Sequence, residues 1–184
     1  RTLAGLKQLE ESPGAQADIA FTKAIYGSHP YAHVSDGDLS TVSKFSVANV
    51  RNFYKQYYVS SNAMVVIVGD LTKEKAQQTA EKLMASLPVG SKPEPIPEVK
   101  LPEQANQQHI EFPSTQTHVL VGLPGTYRKD PDYFTLYVGN HILGGSGLVS
   151  KLFNEIREKR GLAYSASSMF AAFLRPGPFE ISLQ

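Results

Sequence analysis

A proline-rich segment near the middle of the chain does most to limit how it can fold. Residues 88–106, PVGSKPEPIPEVKLPEQAN, hold five of the twelve prolines and show neither helical nor strand periodicity. Such a segment is extended and semi-rigid, because each proline fixes its own φ and lacks a backbone donor. We therefore predict two folded parts, residues 1–87 and 108–184, joined by a connector at 88–107.

The first part begins with helical patterns. Residues 1–27 predict two helices separated by a break at Pro13, and Ser12 is the expected cap of the second helix. Within 41–59, apolar and aromatic residues recur at i, i+3, i+4 and i+7, which predicts a helix that starts at Thr41 or Ser43.

Two further elements follow before the connector. The run AMVVIVG at 63–69 predicts a buried central strand, since it is far shorter than the roughly 18 to 20 residues that span a bilayer. Residues 73–88 predict an amphipathic helix that Pro88 ends.

The part after the connector mixes strands and helices. Alternating patterns predict strands at 107–112 and 117–125, and apolar helical patterns cover 131–145 and 148–161. Residues 162–184 predict two strands about a Pro-Gly turn. The order of elements predicts an α+β fold, with two layers in which helices lie on a mainly antiparallel sheet.

Composition narrows the possible functions. Lys and Arg total 18 against 17 Asp and Glu, a formal net charge of +1, so nothing attracts the chain as a whole to nucleic acid or to an anionic membrane. The absence of cysteine excludes disulfides, thiolate metal sites and a cysteine nucleophile. Only His, Asp and Glu side chains remain as metal ligands. Because the sequence starts at Arg1, we expect any targeting segment to lie outside it.

The sequence HPYAH at 29–33 raises the question of a metal site. His29 and His33 have the spacing with which a helix offers two imidazoles to zinc, but Pro30 interrupts the helix and no glutamate supplies a base. A structural loop is the favoured interpretation. If the two histidines bind a metal, Asp36 or Asp38 is the nearest third ligand.

The remaining histidines and glycines carry no signal by themselves. His109, His118 and His141 are isolated in the sequence, where a histidine is most often a hydrogen-bonded structural residue. The stretch YVGNHILGGSG at 137–147 lacks both the order of residues and the preceding strand of a phosphate loop. A nucleotide site is not predicted.

A cluster of cations lies in LFNEIREKRGLAYS, residues 152–165. Arg157 and its neighbouring lysine and arginine fit a solvated helix end whose cations complement the helix dipole. Alternatively, Arg157 and Tyr164 together donate hydrogen bonds to a carbonyl or a developing oxyanion. The spacing alone favours the helix end, and the second role requires a partner surface.

Several stretches resemble the pitrilysin/insulinase-type zinc peptidases, whose chains contain two homologous α/β halves that face each other across a chamber. The stretch from FTKAIYGSHPYAHVSDGDL through VGDLTKEKA, 21–76, resembles the later part of one half. GLPGTYRKDPDYFTLYVGNHILGGSGLVSKLFNEIREKRGLAYSASS, 122–168, resembles the opening of the next half. The most specific signal is the succession LGG, SKLF and IREKRGLAY.

The resemblance implies that the zinc site and the substrate-binding residues lie in different parts of the protein. The family's zinc motif, His-x-x-Glu-His, precedes the region matched here, so the zinc ligands are expected outside this segment, which contributes no catalytic residue. The third ligand, a glutamate, aligns with Gly5. HPYAH becomes a structural loop, and His141 belongs to a half that binds no metal. Arg157 and Tyr164 align with the arginine and tyrosine that hold the peptide carbonyl of the substrate.

Two functions follow from this resemblance. The first is a segment of a zinc-dependent metalloendopeptidase, inactive by itself, that contacts a peptide or unfolded polypeptide. The second is a non-catalytic partner subunit of an active homologue. Either implies a homo-oligomer or a paired homologous subunit, and exported bacterial relatives favour the periplasm. Since the strand at 63–69 needs neighbours, we also expect the two parts to dock as one composite domain, within a chain or by swapping.

Overall fold

A computed structural model describes all residues, 1–184, and divides into two compact units. One unit joins Arg1–Leu39 with Ile96–Gln184, and the other is Ser40–Pro95. The predicted connector, 88–107, contains no helix or strand. Assignment of residues 1–87 and 108–184 to two homologous halves stays a prediction.

The first unit is built on a three-stranded antiparallel sheet. Its strands are β1 (Val119–Pro124), β2 (Ala166–Phe170) and β3 (Pro178–Leu183), in the order β1-β3-β2. Gly122 and Met169 both pair with Glu180. The predicted strands at 117–125 and on both sides of the Pro-Gly turn are therefore confirmed.

Two helices from the start of the chain belong to this unit. They are α1 (Thr2–Glu10) and α2 (Pro13–Tyr26), and α2 packs against β1. The Ser12 hydroxyl accepts a hydrogen bond from the Ala15 amide at 3.3 Å, which confirms Ser12 as the cap. Residues 1–39 thus dock on the later sheet within a single chain.

Three further helical elements of the unit pack against β2. A helix α6 (Tyr133–Asn140) continues into a π-helical segment, His141–Gly145, and a second π-helical segment spans Phe153–Glu158. The predicted helices at 131–145 and 148–161 are confirmed in position, although each contains a wider turn than an α-helix. Helices on an antiparallel sheet confirm the predicted α+β class.

The second unit contains three α-helices, a short 3-10 helix at Ser60–Asn62, and no strand. The α-helices are α3 (Leu39–Val42), which overlaps the unit boundary, α4 (Val47–Tyr57) and α5 (Lys73–Met84). Ser46 caps α4 with a reciprocal bond to Asn49, so the predicted start at Thr41 or Ser43 was wrong. A capping box satisfies two backbone donors at once, which favours Ser46 over the earlier hydroxyls.

Two predicted strands are absent. Residues 63–69 are not hydrogen-bonded to any strand, and Met64 and Val68 are 88% and 93% exposed, so the buried strand predicted there was wrong. Residues 107–112 are irregular, and the His109 imidazole bonds to the Glu111 carboxylate at 2.9 Å. Residues 63–69 form a continuous apolar run and residues 107–112 alternate, and both patterns fit strands, but a strand also needs a neighbour for its backbone groups.

Candidate functional site

Arg157 and Tyr164, the residues predicted to contact substrate, lie together in the structure. Arg157 belongs to the second π-helical segment, and Tyr164 lies at a bend shortly before β2. The guanidinium carbon of Arg157 is 4.7 Å from the centre of the Tyr164 ring and 4.7 Å from the centre of the Phe153 ring. The cation therefore contacts two aromatic rings.

The chain reverses between these residues because of a glycine. Gly161 has φ +61°, a conformation that residues with a Cβ rarely adopt. Its amide donates to the Arg157 carbonyl at 2.9 Å, and the Leu162 amide donates to the Ile156 carbonyl at 3.0 Å. This turn ends the helix and brings Tyr164 back over Arg157.

The end of the sheet fixes the backbone at Tyr164. The amides of Tyr164 and Ser165 both donate to the carbonyl of Gln184, at 2.6 and 3.0 Å. The Gln184 amide donates in return to the Ser165 carbonyl at 3.1 Å. These bonds hold the backbone at Tyr164, and the residue is 76% exposed.

The neighbouring charges leave Arg157 available to a ligand. Glu155 accepts from Lys159 at 2.5 Å and from Arg160 at 2.8 Å. These two hydrogen bonds lower the pKa of Glu155 to about 2. For Arg157, the nearest carboxylate oxygen is that of Glu158, 3.9 Å from Nε, and 34% of its side chain is exposed.

This arrangement suits an oxygen ligand. Aromatic rings cover the faces of a guanidinium, while its N–H donors lie at the edge, in the plane of the group. The edge donors of Arg157 and the exposed hydroxyl of Tyr164 are the groups that a carbonyl or carboxylate oxygen would accept from.

A buried polar pair holds α6 to β2. The Asn140 amide donates to the Ser168 carbonyl at 3.0 Å, and the Ser168 hydroxyl donates to Asn140 Oδ1 at 2.6 Å. A Cβ at Gly144 would collide with the backbone and hydroxyl of Ser168. The pair was not predicted, because 28 residues separate its members.

The HPYAH loop is tied to other parts of its unit. His29 Nδ1 accepts from the Tyr31 amide at 3.1 Å, and Nε2 lies 3.1 Å from the Pro97 carbonyl. The Tyr31 hydroxyl accepts from the Arg175 amide at 3.2 Å. Both ring nitrogens of His29 therefore have hydrogen-bond partners within the protein. These bonds are consistent with the interpretation of HPYAH as a structural loop.

The side chains of this chain do not fit a zinc site. No group of three or more His, Asp and Glu side chains is placed to hold a metal ion. His29 has no free ring nitrogen, and His109 bonds to Glu111. At Gly5, on α1, a Cβ would meet nothing within 4 Å, so the position has room for a side chain but supplies no ligand.

No helix in the structure has the length and apolar character needed to cross a membrane.

Comparison with known proteins agrees with the resemblance. A family described as "Peptidase M16 inactive domain" matches residues 44–184. An uncharacterized zinc protease of Streptomyces coelicolor is 28% identical over 180 residues, which are 94% of this chain and 39% of the relative. An uncharacterized zinc protease of Bacillus subtilis is 26% identical over 178 residues, 96% of this chain and 42% of the relative.

A solved structure gives the same result. The peptidase M16 inactive domain from Pseudomonas fluorescens is 40% identical, with a TM-score of 0.93 over 99% of this chain and 44% of that one. The chain thus spans less than half the length of the proteins it matches. The match over residues 44–184 shows that the chain belongs to the peptidase M16 family, to its inactive domain.

Proposed function

We propose that the whole protein is a zinc-dependent endopeptidase and that this chain supplies its substrate side. In that protein a zinc-activated water hydrolyses a peptide bond, and the zinc ligands are residues other than those described here. Arg157 and Tyr164 hold the carbonyl of an extended peptide. This chain alone is inactive as a peptidase, since it lacks a set of zinc ligands.

One observation carries the proposal. The Arg157 guanidinium lies against two rings, has no carboxylate within hydrogen-bonding distance, and is partly exposed beside the accessible ring of Tyr164. Arg157 makes only a long ion pair with Glu158, 3.9 Å from Nε, whereas Lys159 and Arg160 lie 2.5 and 2.8 Å from the Glu155 carboxylate. The free edge of the guanidinium supports a role in binding.

Peptide binding tests the proposal directly. The titration uses an unstructured, fluorescently labelled peptide and compares the wild type with Arg157→Ala and Lys159→Ala. The two variants remove the same charge from positions two residues apart, and only Arg157 faces Tyr164.

We expect Arg157→Ala to weaken binding roughly 10-fold to 100-fold, as a charged hydrogen bond of about 1.5 to 3 kcal/mol requires. Lys159→Ala should change Kd less than about twofold, since its salt bridge is exposed. Equal losses in the two variants would mean that only net charge matters. That result would contradict the proposal.

A second candidate is a non-catalytic partner subunit of an active homologous peptidase. Gly5 favours it, because α1 has open space where a side chain could stand and glycine provides no ligand. Such a subunit would pair with a homologous chain or with a copy of itself.

Zinc content separates the two candidates. The whole protein is analysed for zinc and assayed on an unstructured peptide with and without a chelator. About one zinc per chain with chelator-sensitive cleavage supports the endopeptidase. A protein without zinc and without cleavage of its own, which shows cleavage only after an active homologue is added, supports the partner subunit.

A further inference from the structure

We infer that Phe153 is a positioning residue for Arg157 and so for recognition of a peptide carbonyl. The guanidinium carbon of Arg157 is as close to the Phe153 ring as to the Tyr164 ring, 4.7 Å in each case. Tyr164 is exposed, whereas Phe153 is only 7% exposed. The buried ring is therefore the fixed surface against which the cation rests. The inference rests on the peptide-binding role proposed above.

Phe153 is held firmly enough to act in this way. Its amide donates to the hydroxyl of Ser150 at 3.3 Å, and Ser150 is completely buried. The preceding residue, Leu152, would lie 2.9 Å from a Cβ at Gly144, in the first π-helical segment. The start of the second segment is thus packed closely on the end of the first.

Arg157 lies over the Phe153 ring within a π-helical turn. The Lys159 amide donates to the Asn154 carbonyl at 3.0 Å, five residues back instead of four. Phe153 and Arg157 are four residues apart within this wider turn, and the side chain of Arg157 reaches back over Phe153. Wider turns of this kind often occur at functional sites.

The contact with two rings affects how Arg157 can bind a ligand. A guanidinium that lies against two rings still has its N–H donors, at the edge of the group, to offer to a ligand. A fixed donor loses less conformational entropy when a ligand binds than a mobile arginine does. Phe153 should therefore contribute to peptide affinity without touching the peptide.

Nuclear magnetic resonance tests the positioning without any ligand. In the wild type, the side-chain protons of Arg157 should be shifted upfield by the two rings. Phe153→Leu should move them partly downfield, and Phe153→Tyr should restore the wild-type shifts. Phe170→Leu is the matched control, because it breaks another aromatic pair, with Phe179, at the far end of β2. It should leave the Arg157 protons unchanged.

Peptide titration then tests the consequence. We expect Phe153→Leu to weaken binding about 3-fold to 10-fold and Phe153→Tyr to bind as the wild type does, with Phe170→Leu unchanged. Arg157 protons at ordinary shifts in the wild type would overturn the inference even if Phe153→Leu does not fold.

The two proposals fail in different ways. If Arg157→Ala weakens binding and Phe153→Leu does not, the inference is wrong and the proposed function stands. If Arg157→Ala binds as the wild type does, the proposed function is wrong, and the role of Phe153 in recognition is overturned with it.

Discussion

Asn140 and Ser168 exchange two hydrogen bonds in the interior of the first unit, although they are 28 residues apart in the chain. Both residues are buried, and the bonds join the last residue of α6 to the middle of β2. The pair thus fixes the helix from which the chain continues toward Phe153 and Arg157. Each partner would lose a buried bond if the other were truncated.

Truncation of this pair should lower stability. Asn140→Ala leaves the Ser168 hydroxyl and carbonyl without their partner, so we expect the free energy of unfolding to fall by about 1 to 3 kcal/mol in a urea titration. Asn154→Ala is the control, since Asn154 is exposed, and it should change stability by less than about 0.5 kcal/mol. Similar losses in both would show that the pair contributes nothing specific.

The turn that returns Tyr164 to Arg157 should depend on glycine. Gly161→Ala places a Cβ on a residue with φ +61°, and we expect a loss of about 1 to 2 kcal/mol with weaker peptide binding. Gly139→Ala, in helix α6 with open space around a Cβ, should be neutral or stabilising by about 0.5 to 1 kcal/mol. Thermal unfolding distinguishes the two. An equally stable Gly161→Ala would mean that the turn changes its conformation.

The two histidines of HPYAH should behave differently. His29→Ala removes the bonds to Tyr31 and Pro97 and should cost about 1 to 2 kcal/mol in urea, whereas His33→Ala should cost less than about 0.5 kcal/mol because His33 is exposed. Added zinc should leave the unfolding temperature of the wild type unchanged. A zinc-dependent rise that either substitution abolishes would restore the metal-site interpretation.

The half-buried carboxyl of Glu180 should make the packing of α2 on the sheet sensitive to pH. Burial raises the pKa of Glu180, and the negative charge of Asp18 raises it further. Burial also raises the pKa of Asp18, although its side chain is largely exposed and His118 opposes the shift. A raised pKa in the folded state means that this contribution to stability is present below the ordinary carboxyl range and is lost as pH rises through the folded-state pKa.

Glu180→Gln should therefore be more stable than the wild type at neutral pH and less dependent on pH above roughly 4, the usual carboxyl range. Glu155→Gln gives the contrast. Because the pKa of Glu155 is lowered in the folded state, its ionised form stabilises the fold. This stabilisation is lost as pH falls from about 4.5 toward about 2. Urea titrations across this pH range measure the free energy of unfolding of both variants. Parallel curves for wild type and Glu180→Gln would contradict the assignment.

Local signals in the sequence were sufficient for elements that depend on neighbours in the chain. Ser12 caps α2 as predicted, and the Pro-Gly turn joins two strands, because capping and turn formation involve residues only a few positions apart. The strand at 63–69 could not be judged in this way. Its continuous apolar run fits a buried strand, but the segment itself does not show whether a neighbouring strand is available to pair with it.

The candidate site was predicted in part. Arg157 and Tyr164 came from the family resemblance, and the structure brings them together. Phe153 lies four residues before Arg157, a spacing that could have indicated contact on a helix. Asn140 and Ser168 gave no such signal, since their contact exists only after α6 packs on β2.

Recognition of a peptide carbonyl by Arg157 is the central claim, and a double-mutant cycle tests it most directly. Wild type and Arg157→Ala are titrated with an extended peptide and with analogues in which single peptide bonds are replaced by a trans alkene, which keeps the shape and removes the carbonyl. We predict one position where the wild type loses roughly 10-fold to 100-fold in Kd and Arg157→Ala loses almost nothing further. Equal losses in both proteins at every position would contradict the claim.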